Sequence, residues 1–165
     1  MPLLNLEKLR PFKTRFVFGG ASAIITIMGL IVGLSYSPNA RTNIIASVLV
    51  MGVADNVSDS LGIHIFQEAE GRSKREVWIS SITNFATRFG VSLVFVAIIL
   101  LFPLRSAVIY SLVAGFLLLS FISYAIAVYN KTNPLKAVLE HLVIAAIVIF
   151  ASNFFGSWIG RVGLK

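Results

Sequence analysis

Five long apolar stretches, separated by short polar connections, make up most of this chain. An apolar stretch of about 20 residues is long enough to cross the hydrocarbon core of a bilayer as an α-helix. Because a spanning segment must satisfy its own backbone hydrogen bonds, each stretch is predicted to be helical. The predicted spans are Phe16–Ser37, Asn43–Phe66, Trp78–Leu104, Ser106–Tyr129 and Leu135–Ile159.

The composition is typical of a membrane protein, since 57% of the residues are hydrophobic and 13% are charged. Soluble domains contain about 25% charged residues. The longest polar connection, Gln67–Glu76, is too short for a separate domain, so we predict one all-α transmembrane domain over residues 1–165. The chain contains no cysteine, which excludes disulfides and thiolate chemistry.

The segment before the first span alternates leucines with charged residues and lacks the apolar core of a signal peptide. It predicts an N-terminal amphipathic helix on the membrane surface, or else a basic tail.

The net charge of +7 raises the question of nucleic-acid binding. The basic residues cluster beside the apolar spans, where they orient helices and meet lipid headgroups. Nine of the 14 lysines and arginines fall on the side of the N-terminus, four fall on the other side, and Arg88 lies within a span. We therefore predict that the protein lies in a lipid bilayer and does not bind nucleic acid. The same distribution predicts a cytoplasmic N-terminus and an external C-terminus. The compact chain favours a prokaryotic plasma membrane.

Two aspartates, Asp55 and Asp59, lie one helical turn apart inside the second span. A carboxylate near the bilayer centre costs roughly 2.5–3.5 kcal/mol, so such residues face protein or water and mark ion paths. At about 1.5 Å of rise per residue, the polar residues fall into two layers. The deeper layer contains Asp55, Arg88 and Thr26, and the shallower one contains Asp59, Asn84, Ser22, Glu140 and His141. These layers predict a polar cleft that opens toward the cytoplasm.

Asp55 and Asp59 are predicted to bind a cation or a proton, with Glu68 and Glu70 as a first cation site at the cytoplasmic edge. Two carboxylates and one guanidinium leave a surplus negative charge, which can exchange a proton for a cation. These oxygen ligands suit Mg²⁺, Mn²⁺ or Fe²⁺ better than copper, and we predict Fe²⁺ or Mn²⁺ as the cargo. The residues predicted to couple protons or line the path are Arg88, Asn84, Ser22, Thr26, Asn56, Glu140, His141 and His64.

An alternative interpretation makes the same residues a structural clamp, in which Arg88 neutralises Asp55 and Asn84 bonds Asp59. No phosphate-binding loop and no nucleophile–base arrangement is found in the sequence, so we predict neither an enzyme nor a bound cofactor. The spacings Gly29-x-x-x-Gly33 and Gly156-x-x-x-Gly160 predict close helix contacts. Because five helices make a thin wall, we also predict a homodimer with span one at its interface.

Three stretches carry a family resemblance. Residues 19–34 contain GGASA and then TIMGLIVGL, residues 54–70 run from Ala54 through Ser58 and Gly62 to two glutamates, and Asn133-Pro134 precedes the last span. These stretches resemble the vacuolar iron transporter family, in which span one contains Gly-Ala-x-Asp-Gly and span two contains Ser-Met-x-x-Gly-Glu. The resemblance implies five spans, a cytoplasmic N-terminus, a dimer and proton-coupled export of iron or manganese.

The chain also departs from that family. The family's span-one aspartate falls on Ser22, its span-two methionine on Asp59 and its following glutamate on Ile63. The family's cytoplasmic metal-binding helices have no counterpart in the short connection 67–76. An acidic group has thus moved from span one to span two, which favours a harder cation than iron. A non-transporting scaffold or accessory subunit, and a proton-coupled carrier of another small cation, remain alternatives.

Overall fold

The computed structural model describes the backbone of residues 6–163 and the side chains of residues 19–163. Five α-helices follow one another along the chain, and no strand occurs within residues 6–163. They are α1 (Leu6–Leu34), α2 (Ala40–Ala69), α3 (Lys74–Leu101), α4 (Leu104–Tyr129) and α5 (Pro134–Val162). Helices α2 to α5 are long and apolar enough to cross a membrane, and Gly19–Leu34 is a shorter apolar part of α1. The predicted all-α membrane protein with five helices is confirmed.

The helix ends differ from the predicted spans by a few residues because of local capping. Helix α3 begins at Lys74 rather than Trp78, since Ser73 and Glu76 form a capping box. Pro103 has no N–H to continue α3, so this helix ends at Leu101 and α4 begins at once. At α5, the Asn133 side chain accepts hydrogen bonds from the backbone of Leu135 and Lys136.

The predicted N-terminal helix is helical from Leu6 and continues without a break into the first span. The side chains before Gly19 lie outside the described residues. The amphipathic face that we expected there therefore stays a prediction.

Helix α1 occupies the centre of the bundle and packs against α3, α4 and α5, whereas α2 packs mainly on α3. The core is aliphatic and includes the fully buried side chains of Ile24, Ile27, Phe95 and Leu119. Helix α5 buries only Ala145 among its residues. A helix that is apolar all round but covered on one side presents its other faces to lipid.

Glycines of α1 and α5 let these two helices approach closely within one chain. A Cβ atom at Gly156 would collide with the backbone of Gly33, and one at Gly29 would lie 2.9 Å from the hydroxyl of Ser152. The predicted close contacts are therefore present. They also cover the glycine-lined face of α1, so a second copy of the chain must use another face of that helix.

We expect Gly156→Ala to destabilise the protein by about 1–3 kcal/mol, because the added methyl group overpacks against backbone that cannot rotate away. The measurement is thermal unfolding in detergent micelles. Gly90→Ala is the matched control, since a Cβ at Gly90 meets nothing within 4 Å. Equal unfolding temperatures for the two variants would contradict the close α1–α5 contact.

Candidate functional site

Helix α3 carries a polar stripe on its buried face. The spacing of three or four residues places these side chains on one side of the helix, toward α1 and α2. The serine hydroxyls of this stripe donate to backbone carbonyls of their own helix, as Ser92 does to Arg88 at 3.0 Å. The buried polar residues of the stripe are Ser80, Ser81, Asn84, Arg88 and Ser92.

Arg88 lies where α1, α2 and α3 meet, and it is 2% exposed. Its Nη2 donates to Asp55 Oδ2 at 2.5 Å, and its Nη1 lies 2.6 Å from Asp59 Oδ2. Nη1 also donates to Ser22 Oγ at 3.1 Å, and Nε donates to Asn56 Oδ1 at 2.7 Å. These five residues form what we call the Arg88 cluster.

The sequence of α2 explains how one guanidinium reaches both carboxylates. Asp55 and Asp59 are four residues apart, so their side chains lie one above the other on the same face. The planar fork of arginine matches two acceptors at this separation. Asn56 follows Asp55 directly, and its amide nitrogen donates to Gly52 O at 2.6 Å. That bond turns the amide oxygen toward Arg88 and fixes its orientation.

The Arg88 cluster carries two carboxylates and one guanidinium, so its formal charge is −1 when both acids are ionised. Arg88 has 3% of its side chain exposed, whereas Asp55 and Asp59 have 45% and 41% exposed. Each carboxylate contacts Arg88 through Oδ2. The guanidinium of the cluster is thus buried, whereas the two carboxylates are accessible on the side away from Arg88.

Asn84 lies one turn from Arg88 but does not contact the aspartates. Its amide nitrogen donates to Ser60 Oγ at 3.2 Å, and its fully buried carbonyl oxygen finds no donor among the described residues. Of the alternative clamp, the bond between Arg88 and Asp55 is present, whereas Asn84 bonds Ser60 and Asp59 also contacts Arg88. Ser60 was not anticipated, although it follows Asn56 by four residues and so shares its face.

The structure separates two predicted path residues of α5 from the cluster. His141 Nδ1 lies 2.7 Å from Ser123 Oγ of α4, and Glu140 pairs with Lys136 at 3.9 Å. We expected Glu140 and His141 in the same layer as Asp59 because of their depth along the helix. Depth does not determine on which side of the bundle a residue lies. Thr26 is exposed on α1 and donates to Ser22 O at 3.0 Å.

His64, Glu68 and Glu70 lie near the Ala69 end of α2. Glu68 comes nine residues after Asp59, about 13 Å further along the helix axis. His64 contacts Ser81 at 3.3 Å, and Glu70 lies 3.6 Å from Arg72. Within the described residues, no group of three His, Asp or Glu side chains is placed to hold a metal ion. At the Arg88 cluster, one chain brings two carboxylates together.

Comparison of the chain with protein-family models, curated proteins and solved structures gives no match. The resemblance to vacuolar iron transporters stays a prediction based on the motifs in the sequence.

We expect Arg88→Met to lower the free energy of unfolding by about 1–3 kcal/mol, because it leaves the buried Asn56 amide oxygen and two half-exposed carboxylates without their donor. Thermal unfolding in detergent measures the loss. Adding Asp55→Asn and Asp59→Asn to the same chain removes the unpaired charges and should restore most of the stability. A single Arg88→Met variant as stable as the parent would show that the cluster does not hold α1, α2 and α3 together.

Proposed function

We propose that the protein is a homodimeric membrane transporter that exports a divalent metal cation, iron or manganese, in exchange for protons. One observation carries this proposal, which is the half-exposed pair of carboxylates with surplus negative charge within α2. Proteins place such groups inside spans at a cost, and they do so mainly on ion and proton paths.

The exposed carboxylates of the Arg88 cluster limit what can lie beside them in a membrane. Facing lipid would cost roughly 2.5–3.5 kcal/mol for each carboxylate, so water or protein must cover them. A water-filled path would bring a cation to the free carboxylate oxygens. Arg88 keeps the formal charge at −1 rather than −2, which favours a cation bound weakly enough to leave again. Protonation of one carboxyl group would neutralise the cluster and release the cation.

A second copy of the chain would complete the site. Beside Asp55 and Asp59, α2 exposes the small residues Ala54 and Ser58, and α1 exposes Thr26. Small side chains let membrane helices approach closely. A two-fold axis next to this face would bring four carboxylates and two guanidinium groups together. Four carboxylates and water supply the six oxygen ligands that hard divalent cations take.

The proposed direction follows from the distribution of basic residues, which favours a cytoplasmic N-terminus. The Ala69 end of α2 would then face the cytoplasm, and Asp59 would be the first carboxylate of the pair that a cytoplasmic cation meets. The absence of cysteine and the aspartate at position 59 favour Mn²⁺ or Fe²⁺ over a softer metal. The motif resemblance supports the same cargo class, and the compact chain favours a prokaryotic plasma membrane.

Purified protein in proteoliposomes tests this function. We expect Mn²⁺ to drive proton flux with the parent chain, and Asp59→Asn or Asp55→Asn to reduce this flux to that of protein-free vesicles. Glu140→Gln is the matched control, because Glu140 is exposed on α5 and pairs with Lys136 away from the Arg88 cluster. Equal flux from the parent and Asp59→Asn would overturn the proposal.

A scaffold or accessory subunit is the second candidate, and the complete burial of Arg88 among its acceptors favours it. The same vesicles separate the two with a charge exchange, Asp55→Arg combined with Arg88→Asp. A scaffold would recover its fold and all of its activity after the exchange, whereas a transporter would recover its fold and still carry no Mn²⁺. A carrier of an organic cation would show no stabilisation by Mn²⁺ that depends on Asp55 and Asp59, since a ligand bound there would raise the unfolding temperature.

The dimer has its own test, because a chain without cysteine allows single cysteines to be placed at will. We expect Ser58→Cys to form a disulfide-linked dimer under mild oxidation in membranes. Leu117→Cys, on the exposed face of α4, should stay monomeric under the same conditions. A monomer in both cases would exclude a two-fold contact through this face of α2.

A further inference from the structure

The imidazole of His64 is held in one orientation by α3. Its Nδ1 lies 3.3 Å from Ser81 Oγ, and the same hydroxyl donates to Val77 O at 2.9 Å. A serine hydroxyl has one proton to give. With that proton on the bond to Val77, we assign His64 Nδ1–H as the donor to Ser81. The neutral ring then has its lone pair on Nε2, the atom through which histidine binds metals.

Glu68 follows His64 by one helical turn and brings an oxygen to the same side. His64 Nε2 and Glu68 Oε1 are 3.8 Å apart, which is too long for a hydrogen bond. Neighbouring ligands of one metal ion, each about 2.0–2.2 Å from it, lie roughly 3.0–3.5 Å apart, so a small movement of the Glu68 side chain would bring the pair to that separation. The Glu68 side chain is 57% exposed and that of His64 is 17% exposed, so an ion can reach the pair from outside.

Gln67 adds an independent observation. It is 3% exposed, and its Oε1 finds no hydrogen-bond donor among the described residues. A buried polar atom without a partner is rare and calls for an explanation such as an ion. Gln67 comes three residues after His64, so the two side chains share one side of α2. Its amide oxygen is thus an unpartnered acceptor within one helical turn of His64.

His141, the other histidine of the chain, shows what distinguishes the surroundings of His64. His141 Nδ1 also contacts a serine, Ser123 at 2.7 Å, whose hydroxyl donates to its own helix in the same way. The residues one turn away on α5 are Ala137 and Ala145, which offer no ligand. A fixed imidazole with a carboxylate one turn along the helix is therefore found at His64 and not at His141.

We propose that His64, Gln67 and Glu68 bind a divalent transition-metal cation at the Ala69 end of α2, with water as the remaining ligands. One imidazole nitrogen and two oxygens suit Ni²⁺, Co²⁺ or Zn²⁺ better than Mg²⁺ or Ca²⁺. The site does not depend on the transport proposed above. His64 lies five residues after Asp59, about 140° further around the helix, so it belongs to a different face from the Arg88 cluster.

Trp78 supplies a reporter for this site, because its ring meets the His64 imidazole edge to face with centroids 4.8 Å apart. The chain has two tryptophans, and Trp158→Phe leaves Trp78 alone. Ni²⁺ quenches tryptophan fluorescence over short distances. We expect saturable quenching of Trp78 by Ni²⁺ in the Trp158→Phe protein. His64→Gln in that background should raise the half-saturating concentration by about tenfold or more, since even outer-shell changes cost metal sites 10–100-fold.

Three further variants make the outcome decisive. Glu68→Gln changes an exposed side chain and so tests the site without risk to the fold, and it should weaken Ni²⁺ binding as well. His141→Gln should leave the quenching curve unchanged. Asp59→Asn should also leave it unchanged, which separates this site from the Arg88 cluster. Quenching that is equal in the His64→Gln, Glu68→Gln and parental proteins, or that never saturates, would overturn the proposal.

Discussion

One buried arginine of α3 joins three helices, because the side chains that accept its hydrogen bonds lie on α1 and α2. Arg88 is nearly inaccessible, and its donors contact Ser22 of α1 and Asp55, Asn56 and Asp59 of α2. A guanidinium in a membrane protein is stable only where such acceptors surround it. Any rearrangement that separates α2 from α3 would break several charge-assisted bonds at once. The position of α2 therefore depends on Arg88, and the aliphatic core of α1 alone does not determine it.

The same interaction explains the asymmetry of charge. Arg88 uses one oxygen of each aspartate and leaves both carboxylates partly exposed on the opposite side. A purely structural pair would need one acid, since a single carboxylate neutralises a guanidinium. The second acid adds a negative charge that the described side chains do not balance. A structural role accounts for the buried arginine, whereas a cation or a proton accounts for the extra aspartate, and the proposed function combines both.

Apolar length and turn chemistry were sufficient to predict the five helices, because a bilayer admits few other folds for such a chain. The pairing of Asp55 with Arg88 also followed from residue type and depth. The neighbours of Asn84 and His141 did not, because depth along a helix leaves the angle around the bundle undetermined. Asn84 faces Ser60, and His141 faces Ser123 on the far side of α1 from α2. For Asn84, the helical spacing within α2 contained the missing information, since Asn56 and Ser60 repeat the aspartate spacing one residue later.

Helix α2 serves two polar regions that point in different directions. Asp55 and Asp59 lie toward α1 through Arg88 and Ser22, while His64 lies toward Ser81 and Trp78 of α3. The contact between α1 and α2 is small, whereas α2 and α3 pack along most of their length. Helix α1 also packs extensively against α3, so the three helices form one packed unit around Arg88. Because the two polar regions lie on different faces of α2, a cation at one of them does not occupy the other. The two proposals therefore assign separate cation sites to one helix.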